Sequence, residues 1–229
     1  MEAVILAGGF GTRLRPVVAD LPKPLAPVGG RPFLAILLDQ LVAQGFKHVV
    51  LSVGYKHELI QQAFGDMYQN MTLSYAVEEV PLGTGGAICL AASFCKTNEV
   101  FVLNGDSYVD LDFVAMRNAH RAGGAKLSIC AVMVQDAGRY GCVQIKADRI
   151  IGFAEKGTAG PGAINAGVYL FAPGLVVDCN LPNAFSFERD FLMTKLHQLS
   201  PLAFVVDGLF IDIGVPSDYA RADSIFIKR

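Results

Sequence analysis

Cysteine is scarce: five of 229 residues, Cys89, Cys95, Cys130, Cys142 and Cys179, an odd number without the CxxC spacing of a zinc or redox site. Neither a disulfide framework nor a zinc ribbon is expected, and the five are read as small buried apolar residues. Although 52% of the chain is hydrophobic, no uninterrupted apolar run reaches the roughly 18 residues that a membrane span requires. Lys and Arg total 19 against 21 Asp and Glu, and they nowhere gather densely enough for a nucleic-acid footprint. The opening Met1-Glu2-Ala3-Val4 has no basic stretch before its apolar residues, so neither a secretory signal nor a transit peptide is evident. Internal repeats, low-complexity segments and interdomain linkers are also missing. These absences predict a soluble, cytoplasmic protein of one domain spanning 1–229, without membrane or nucleic acid among its partners; association into a homo-oligomer is left open. Any anionic ligand must be attracted locally.

What the chain does carry is concentrated at its start. Ala3-Val4-Ile5-Leu6 reads as a buried strand that runs directly into Ala7-Gly8-Gly9-Phe10-Gly11-Thr12-Arg13-Leu14, with Pro22-Lys23-Pro24 downstream. Three glycines leave backbone N–H groups unshielded, and successive N–H groups in such a turn form a concave nest for phosphate oxygens. Arg13 and Lys23 add two positive charges of different geometry, which suggests a polyphosphate ligand. Two commoner phosphate loops do not fit. The dinucleotide fingerprint requires glycine where Leu14 stands, and a Walker loop requires Gly-Lys-Ser/Thr where this chain has Gly11-Thr12-Arg13.

Downstream, helical spacing of Phe33, Ile36, Leu37 and Leu41 between Pro32 and Gly45 is followed by strands over 48–53 and 73–77 with a short helix over 58–64 between them. Strands alternating with helices of this length predict an α/β fold with a mostly parallel sheet, whose ligands sit beyond the carboxyl ends of the strands. Glu78-Glu79 and Pro81-Leu82-Gly83-Thr84-Gly85-Gly86-Ala87 follow the third strand, a second glycine-rich opening beside carboxylates. A carboxylate there suits a hydrogen-bond donor. Guanine offers adjacent N1–H and N2–H₂ donors that one carboxylate receives in parallel, so Glu78 tilts the expected base towards guanine; the competing reading makes both glutamates solvated strand-end charges. Residues 99–103 form a fourth strand ending in Asn104-Gly105-Asp106-Ser107. A carboxylate at the tip of a central strand suits Mg²⁺, a hard cation with oxygen ligands, and Asp212 in Phe210-Ile211-Asp212-Ile213-Gly214 would complete the site. Further strands are expected over 126–134 and 165–171, with a hairpin over 141–154 turning near Ala147-Asp148. Ser186 is expected to cap a helix carrying Phe187, Phe191, Leu192 and Leu196, with Glu188 and Asp190 complementing its positive end in a structural role. A last helix starts near Pro216.

The motifs LAGGFGTRLRP, LPKP, PLGTGGA, NGDS, RYG, EK, NAGVY and IDIGVPSDY, in this order over nearly the whole chain, resemble the signature of the sugar-1-phosphate nucleotidyltransferases. The resemblance implies a Rossmann-like, mostly parallel sheet flanked by helices with a small β-rich sugar-binding lobe, residues 1–110 mainly for nucleotide and 111–229 mainly for sugar phosphate. It also implies nucleotide contacts from Leu6, Gly8, Gly9, Gly11, Thr12, Arg13, Glu78, Gly83 and Thr84, and catalytic roles for Arg13, Lys23 and Asp106. Mg²⁺ would lie on Asp106 and Asp212, and the sugar phosphate on Tyr140, Gly141, Glu155, Lys156 and Asn165. Within the family, PFLAILLDQL, LSVGYKHELI, EEVPLGTGGA and FSFERDF are most similar to members that use GTP and a heptose 1-phosphate. Ala166 stands where the usual sugar-site phrase has glycine. Two alternatives stay open: a guanylyl- or uridylyltransferase for another sugar such as mannose 1-phosphate, and a non-catalytic nucleotide-binding module, against which the intact set Arg13, Lys23, Asp106 and Asp212 argues.

Overall fold

The structure, a computed structural model, describes residues 1–9, 21–138, 140–154, 160–214 and 216–227. The first half contains β1 (Glu2–Leu6), β2 (Pro27–Val28), β3 (Arg31–Pro32), α1 (Phe33–Ala43), β4 (His48–Val53), α2 (His57–Phe64), β5 (Met67–Tyr68), β6 (Met71–Val77), α3 (Gly83–Ala92), β7 (Val100–Asn104) and β8 (Ser107–Val109). The second contains α4 (Phe113–Ala122), β9 (Leu127–Val134), β10 (Val143–Lys146), β11 (Arg149–Phe153), β12 (Gly162–Phe171), α5 (Gly174–Val177), α6 (Leu196–Leu199), β13 (Leu202–Val206), β14 (Phe210–Asp212) and α7 (Pro216–Phe226).

Among the described residues one large sheet runs in the order β10-β11-β13-β9-β12-β7-β1-β4-β6-β5. Its centre is parallel, β7, β1, β4 and β6 side by side, and β12 joins antiparallel between β7 and β9. The central strands are apolar on both faces because helices cover both. Alternation along the strands sorts the side chains: Ala3, Ile5, Phe101 and Leu103 pack with Leu34, Leu37, Phe113 and Met116 of α1 and α4, whereas Val4, Val100 and Val102 pack with Ile88 and Ala91 of α3 and with Phe187 and Phe191. On the first face Phe46, Phe101 and Phe113 meet edge to face, with ring centroids 5.1–5.6 Å apart. The hairpin β10–β11 turns at Ala147-Asp148, both with positive φ (46° and 60°), the left-handed pair that a tight two-residue turn requires.

Three expectations are corrected. The glycines of Pro81–Ala87 are not an open loop, because α3 already begins at Gly83. Their smallness instead admits the chain at 183–187: a Cβ on Gly85 would lie 2.0 Å from the Phe185 ring, and one on Gly86 2.2 Å from the Asn183 carbonyl. Second, the helix capped by Ser186 is a π-helical turn over Phe187–Leu192, separate from α6; the Thr194 hydroxyl bonds back to the carbonyls of Asp190 and Phe191, offering the backbone a competing partner there. Third, Cys130 alone of the five cysteines is fully buried, and the other four are half-buried thiols.

Gly85→Ala should therefore be costly although alanine favours helices. Driving a methyl group into the Phe185 ring is expected to destabilise the fold by about 1–3 kcal/mol, read as a lower urea midpoint with an unchanged slope. A midpoint equal to or above that of the parent protein would contradict the packing described.

Candidate active site

A cleft of about 670 Å³ lies beyond the carboxyl ends of β1, β4, β6 and β7, where a doubly wound sheet presents its loops. Its walls come from Leu6 to Gly9 after β1, Gly54 to Glu58 after β4, Val77 to Glu79 after β6 and Asn104 to Asp106 after β7, with Lys23 and Pro24 at one side and Gly83, Thr84 and Ala87 of α3 at the other. Parallel pairing of β1 with β4 and β7 aligns these ends, Leu6 opposite Ser52 and Asn104. The strand tips are then drawn together more closely than side chains allow. Gly105 donates its N–H to the Leu6 carbonyl at 2.9 Å, and a Cβ there would sit 2.5 Å from that oxygen; a Cβ on Gly8 would sit 2.5 Å from Glu78 Oε1. Glycine at these two places lets a carboxylate and a turn share one wall.

Glu78 is partly committed. Its Oε1 accepts from the Oγ of fully buried Ser52 at 3.2 Å, and its Oε2 accepts from the Leu82 N–H at 3.1 Å. The carboxylate that sequence reading left as either base-reading or solvated thus anchors the 79–82 segment while lining the cleft, and each oxygen keeps a further lone pair for a ligand.

At the opposite end, Lys23 Nζ donates to Asp106 Oδ2 at 2.6 Å, with the lysine side chain 11% exposed and the aspartate 36%. The pairing of β8 with β14 sets Ser107 against Asp212, and the Ile213 N–H reaches the Asp106 carbonyl at 2.9 Å. Asp106 and Asp212, far apart in the chain, are thereby neighbours. Burial raises the Asp212 carboxyl above its usual range and the negative charge of Asp106 raises it further, against the Gly214 N–H at 2.6 Å and the Lys23 charge, which lower it. Two carboxylates that repel each other across a half-buried gap are a fitting donor set for a divalent cation with oxygen ligands. Buried Asp218 adds a weaker charge that also raises Asp212, and among the described residues no group of three or more His, Cys, Asp or Glu is placed to hold a metal.

On the other flank, β12 shifts register between Asn165 and Tyr169, and in the shift Gly167 (φ +72°) comes so close to Asn104 that a Cβ would lie 2.4 Å from its Nδ2. Asn165 is held there: its Oδ1 accepts from the Gly167 N–H at 3.0 Å, and its Nδ2 donates to the Tyr169 hydroxyl at 2.9 Å and to Glu188 Oε1 at 3.2 Å. Ala166 is buried in the core, so its methyl group is accommodated there. Tyr140 packs edge to face on Phe210 of β14, ring centroids 5.5 Å apart, and Gly141 with φ +87° turns the chain beside it.

Of the residues predicted for the site, Leu6, Gly8, Gly9, Lys23, Glu78, Gly83, Thr84 and Asp106 line the cleft, and Asp212 adjoins it through Asp106. Gly83 and Thr84 do so from the first turn of a helix, and the Thr84 hydroxyl accepts the Phe187 N–H at 2.9 Å. Gly11, Thr12, Arg13, Glu155 and Lys156 lie outside the described residues. Sequence reading missed Tyr55, Lys56, His57 and Glu58, which line the cleft at the end of β4; Lys56 has φ +54°, an uncommon left-handed conformation for a non-glycine residue. Their signal was positional, a polar run at the carboxyl end of a central strand.

Comparison with known proteins agrees with this architecture. The family profile described as nucleotidyl transferase matches residues 2–228. The chain is 44% identical over 225 residues to a D-glycero-alpha-D-manno-heptose 1-phosphate guanylyltransferase of Aneurinibacillus thermoaerophilus, covering 97% of this chain and 96% of that one. It is 41% identical over 220 residues to the protein of the same description from Campylobacter jejuni, covering 96% and 97%. The crystal structure of HddC from Yersinia pseudotuberculosis complexed with GMP-PN superposes with a TM-score of 0.87 at 38% identity, covering 98% of this chain and 99% of that chain.

The electrostatic coupling of the aspartates has a direct readout. In metal-free Asp106→Asn the like charge beside Asp212 is gone, so the Asp212 carboxyl should titrate at lower pH than in the parent protein, followed by carboxyl-carbon NMR. An unchanged or higher midpoint would show that the two do not face each other.

Proposed function

The chain belongs to the nucleotidyl transferase family, and from that premise we propose that it transfers GMP from GTP to D-glycero-α-D-manno-heptose 1-phosphate, releasing pyrophosphate and forming GDP-heptose. One observation carries the reading: strand pairing delivers Asp106 and Asp212 to one point at the edge of a glycine-lined cleft, with Lys23 bonded to Asp106. The choice of guanine and heptose rests on relatives so described, similar over nearly full length, and on Glu78 in the cleft. Residues 1–110 supply mainly the nucleotide half and 111–229 the sugar-phosphate half. The product would serve nucleotide-sugar supply for surface polysaccharide in the cytoplasm.

The chemistry needs no general base from the protein. A phosphate monoester has a second pKa of about 6, so near neutral pH the attacking oxygen is already ionised. That oxygen bonds to the α-phosphorus of GTP in line with the departing bridge oxygen, whose bond breaks to release pyrophosphate; what opposes the step is repulsion between two anions. Gly8 and Gly9 offer backbone N–H groups to the triphosphate, joined by Gly11, Thr12 and Arg13. Lys23 places its ammonium against the charge gathering at the α-phosphate, and Glu78 receives the guanine donors. Tyr140, Gly141, Glu155, Lys156 and Asn165 hold the sugar phosphate, with Lys156 countering the nucleophile's charge. Mg²⁺ would be held by Asp106 and Asp212, where it would supply charge neutralisation between the two phosphates. The remaining work is alignment, which a preformed cleft provides before the reactants arrive.

The test is a matrix of four nucleoside triphosphates against several sugar 1-phosphates, heptose and mannose among them, scored by pyrophosphate release. GTP with the heptose 1-phosphate should give the highest kcat/KM; a clear preference for another pair overturns the assignment. Asp106→Asn should lower kcat by about 10²-fold or more while circular dichroism and the melting temperature stay close to those of the parent protein.

A further inference from the structure

Glu188 stands out as a carboxylate that the chemistry above leaves unused. It is exposed, yet its Oε1 is held from two directions, by the Tyr169 hydroxyl at 2.6 Å and by Asn165 Nδ2 at 3.2 Å. Tyr169 is itself only 1% exposed, and burial together with the Glu188 charge pushes its phenol well above the ordinary range, so it stays a proton donor. An exposed carboxylate complementing a helix end would need no such support. The segment carrying it is tied to the cleft at both sides. Phe187 donates its N–H to Thr84 of the cleft wall, while Asn165 leads through Gly167 to Asn104, which lines the same cleft beside Asp106. Thr84, Phe187, Glu188, Asn165, Gly167 and Asn104 thus form a continuous chain of contacts that leaves the cleft at Thr84 and returns to it at Asn104, with Glu188 an exposed member at the cleft's rim. Among the described residues Glu188 Oε2 receives no hydrogen bond.

We propose that Glu188 is a specificity-determining residue that accepts hydrogen bonds from hydroxyl groups of the acceptor sugar. The proposal rests on the sugar-phosphate guanylyltransferase reading and extends it to a residue that the sequence placed in a purely structural role. The physical reason is the composition of the ligands: their phosphates are anions that a carboxylate repels, so the groups it can receive at this rim are neutral donors, and a sugar ring presents several. Held by Tyr169 and Asn165, the carboxylate loses little side-chain freedom when a ligand arrives, which favours discrimination between sugars that differ in the placement of one hydroxyl. Asn165 acts in part through Glu188, as a positioning residue as well as a contact.

The test compares the parent protein with Glu188→Gln, first with GTP and the sugar 1-phosphate that the parent turns over best. Losing a charge-assisted hydrogen bond should raise the KM for the sugar 1-phosphate about ten- to a hundredfold, with the KM for GTP within about twofold of the parent value and the melting temperature unchanged. Monodeoxy analogues of the same sugar 1-phosphate separate contact from mere support of the rim. With the analogue lacking the hydroxyl that Glu188 receives, the two proteins should converge; with the other analogues the gap should persist. Tyr169→Phe, which keeps the ring and removes the hydroxyl, should show a smaller increase of the same kind. An unchanged sugar KM in Glu188→Gln, equal increases for both substrates, or a gap that no analogue closes would each overturn the proposal. A parent protein that releases no pyrophosphate with any pair would refute the guanylyltransferase reading, and the role of Glu188 with it.

Discussion

The backbone pairing that brings Asp106 and Asp212 together is the constraint on which the site depends. Placing two carboxylates side by side in a half-buried gap is unfavourable, and it persists because β8 and β14 pair through the backbone, Ser107 against Asp212, whatever the side chains prefer. Lys23 bonds Asp106, and its charge also lowers the Asp212 carboxyl, which burial and the Asp106 charge nevertheless hold above its usual range. Two carboxylates held at one point by the separate two-stranded sheet of β8 and β14 are a donor set of the kind that suits a divalent cation with oxygen ligands.

Close approach of backbones builds the rest of the cleft. Gly105 lets the tip of β7 touch Leu6, Gly8 leaves room for the Glu78 carboxylate, and Gly167 lets the shifted strand reach Asn104. Each removes one methyl group from a place where two elements meet. Main-chain N–H groups are suited to polyphosphate because they are numerous, fixed and uncharged, so they stabilise an anion without adding mobile side chains. Gly85 and Gly86 do similar service behind the site, where they bring the 183–187 segment against α3. That contact extends from the cleft wall into the neighbouring segment: Thr84 bonds Phe187, and the next residue, Glu188, joins Asn165 and Tyr169.

Much of this was legible from local pattern. Apolar runs of strand length, the proline and glycine that bracket α1, and the Ala147-Asp148 turn were all recoverable, because hydrophobic period and turn chemistry are properties of neighbouring residues. Where reading failed, the missing information was a partner elsewhere in the chain. The Gly83 to Gly86 stretch looks like an open loop until Phe185 and Asn183 are set against it, and the helix expected after Ser186 gives no warning of the π-helical turn at its start. The thiols of Cys89, Cys95, Cys142 and Cys179 are partly exposed, and all but Cys89 of α3 lie outside the helices and strands, a placement that composition does not reveal.

By itself the sequence determined the class of fold, the main alternation of strands and helices in the first half, and the candidate phosphate- and metal-binding groups, since each is written in short stretches whose chemistry needs no distant neighbour. The tertiary structure alone decided which of those groups meet: that Asp212 lies beside Asp106, that Lys23 bonds Asp106, that Glu78 already holds Ser52 and Leu82, and that Glu188 is aimed by Tyr169 and Asn165. The reason is physical. Such meetings depend on the lateral order and register of the sheet, which arise from the packing of the whole chain and leave no mark in any one segment.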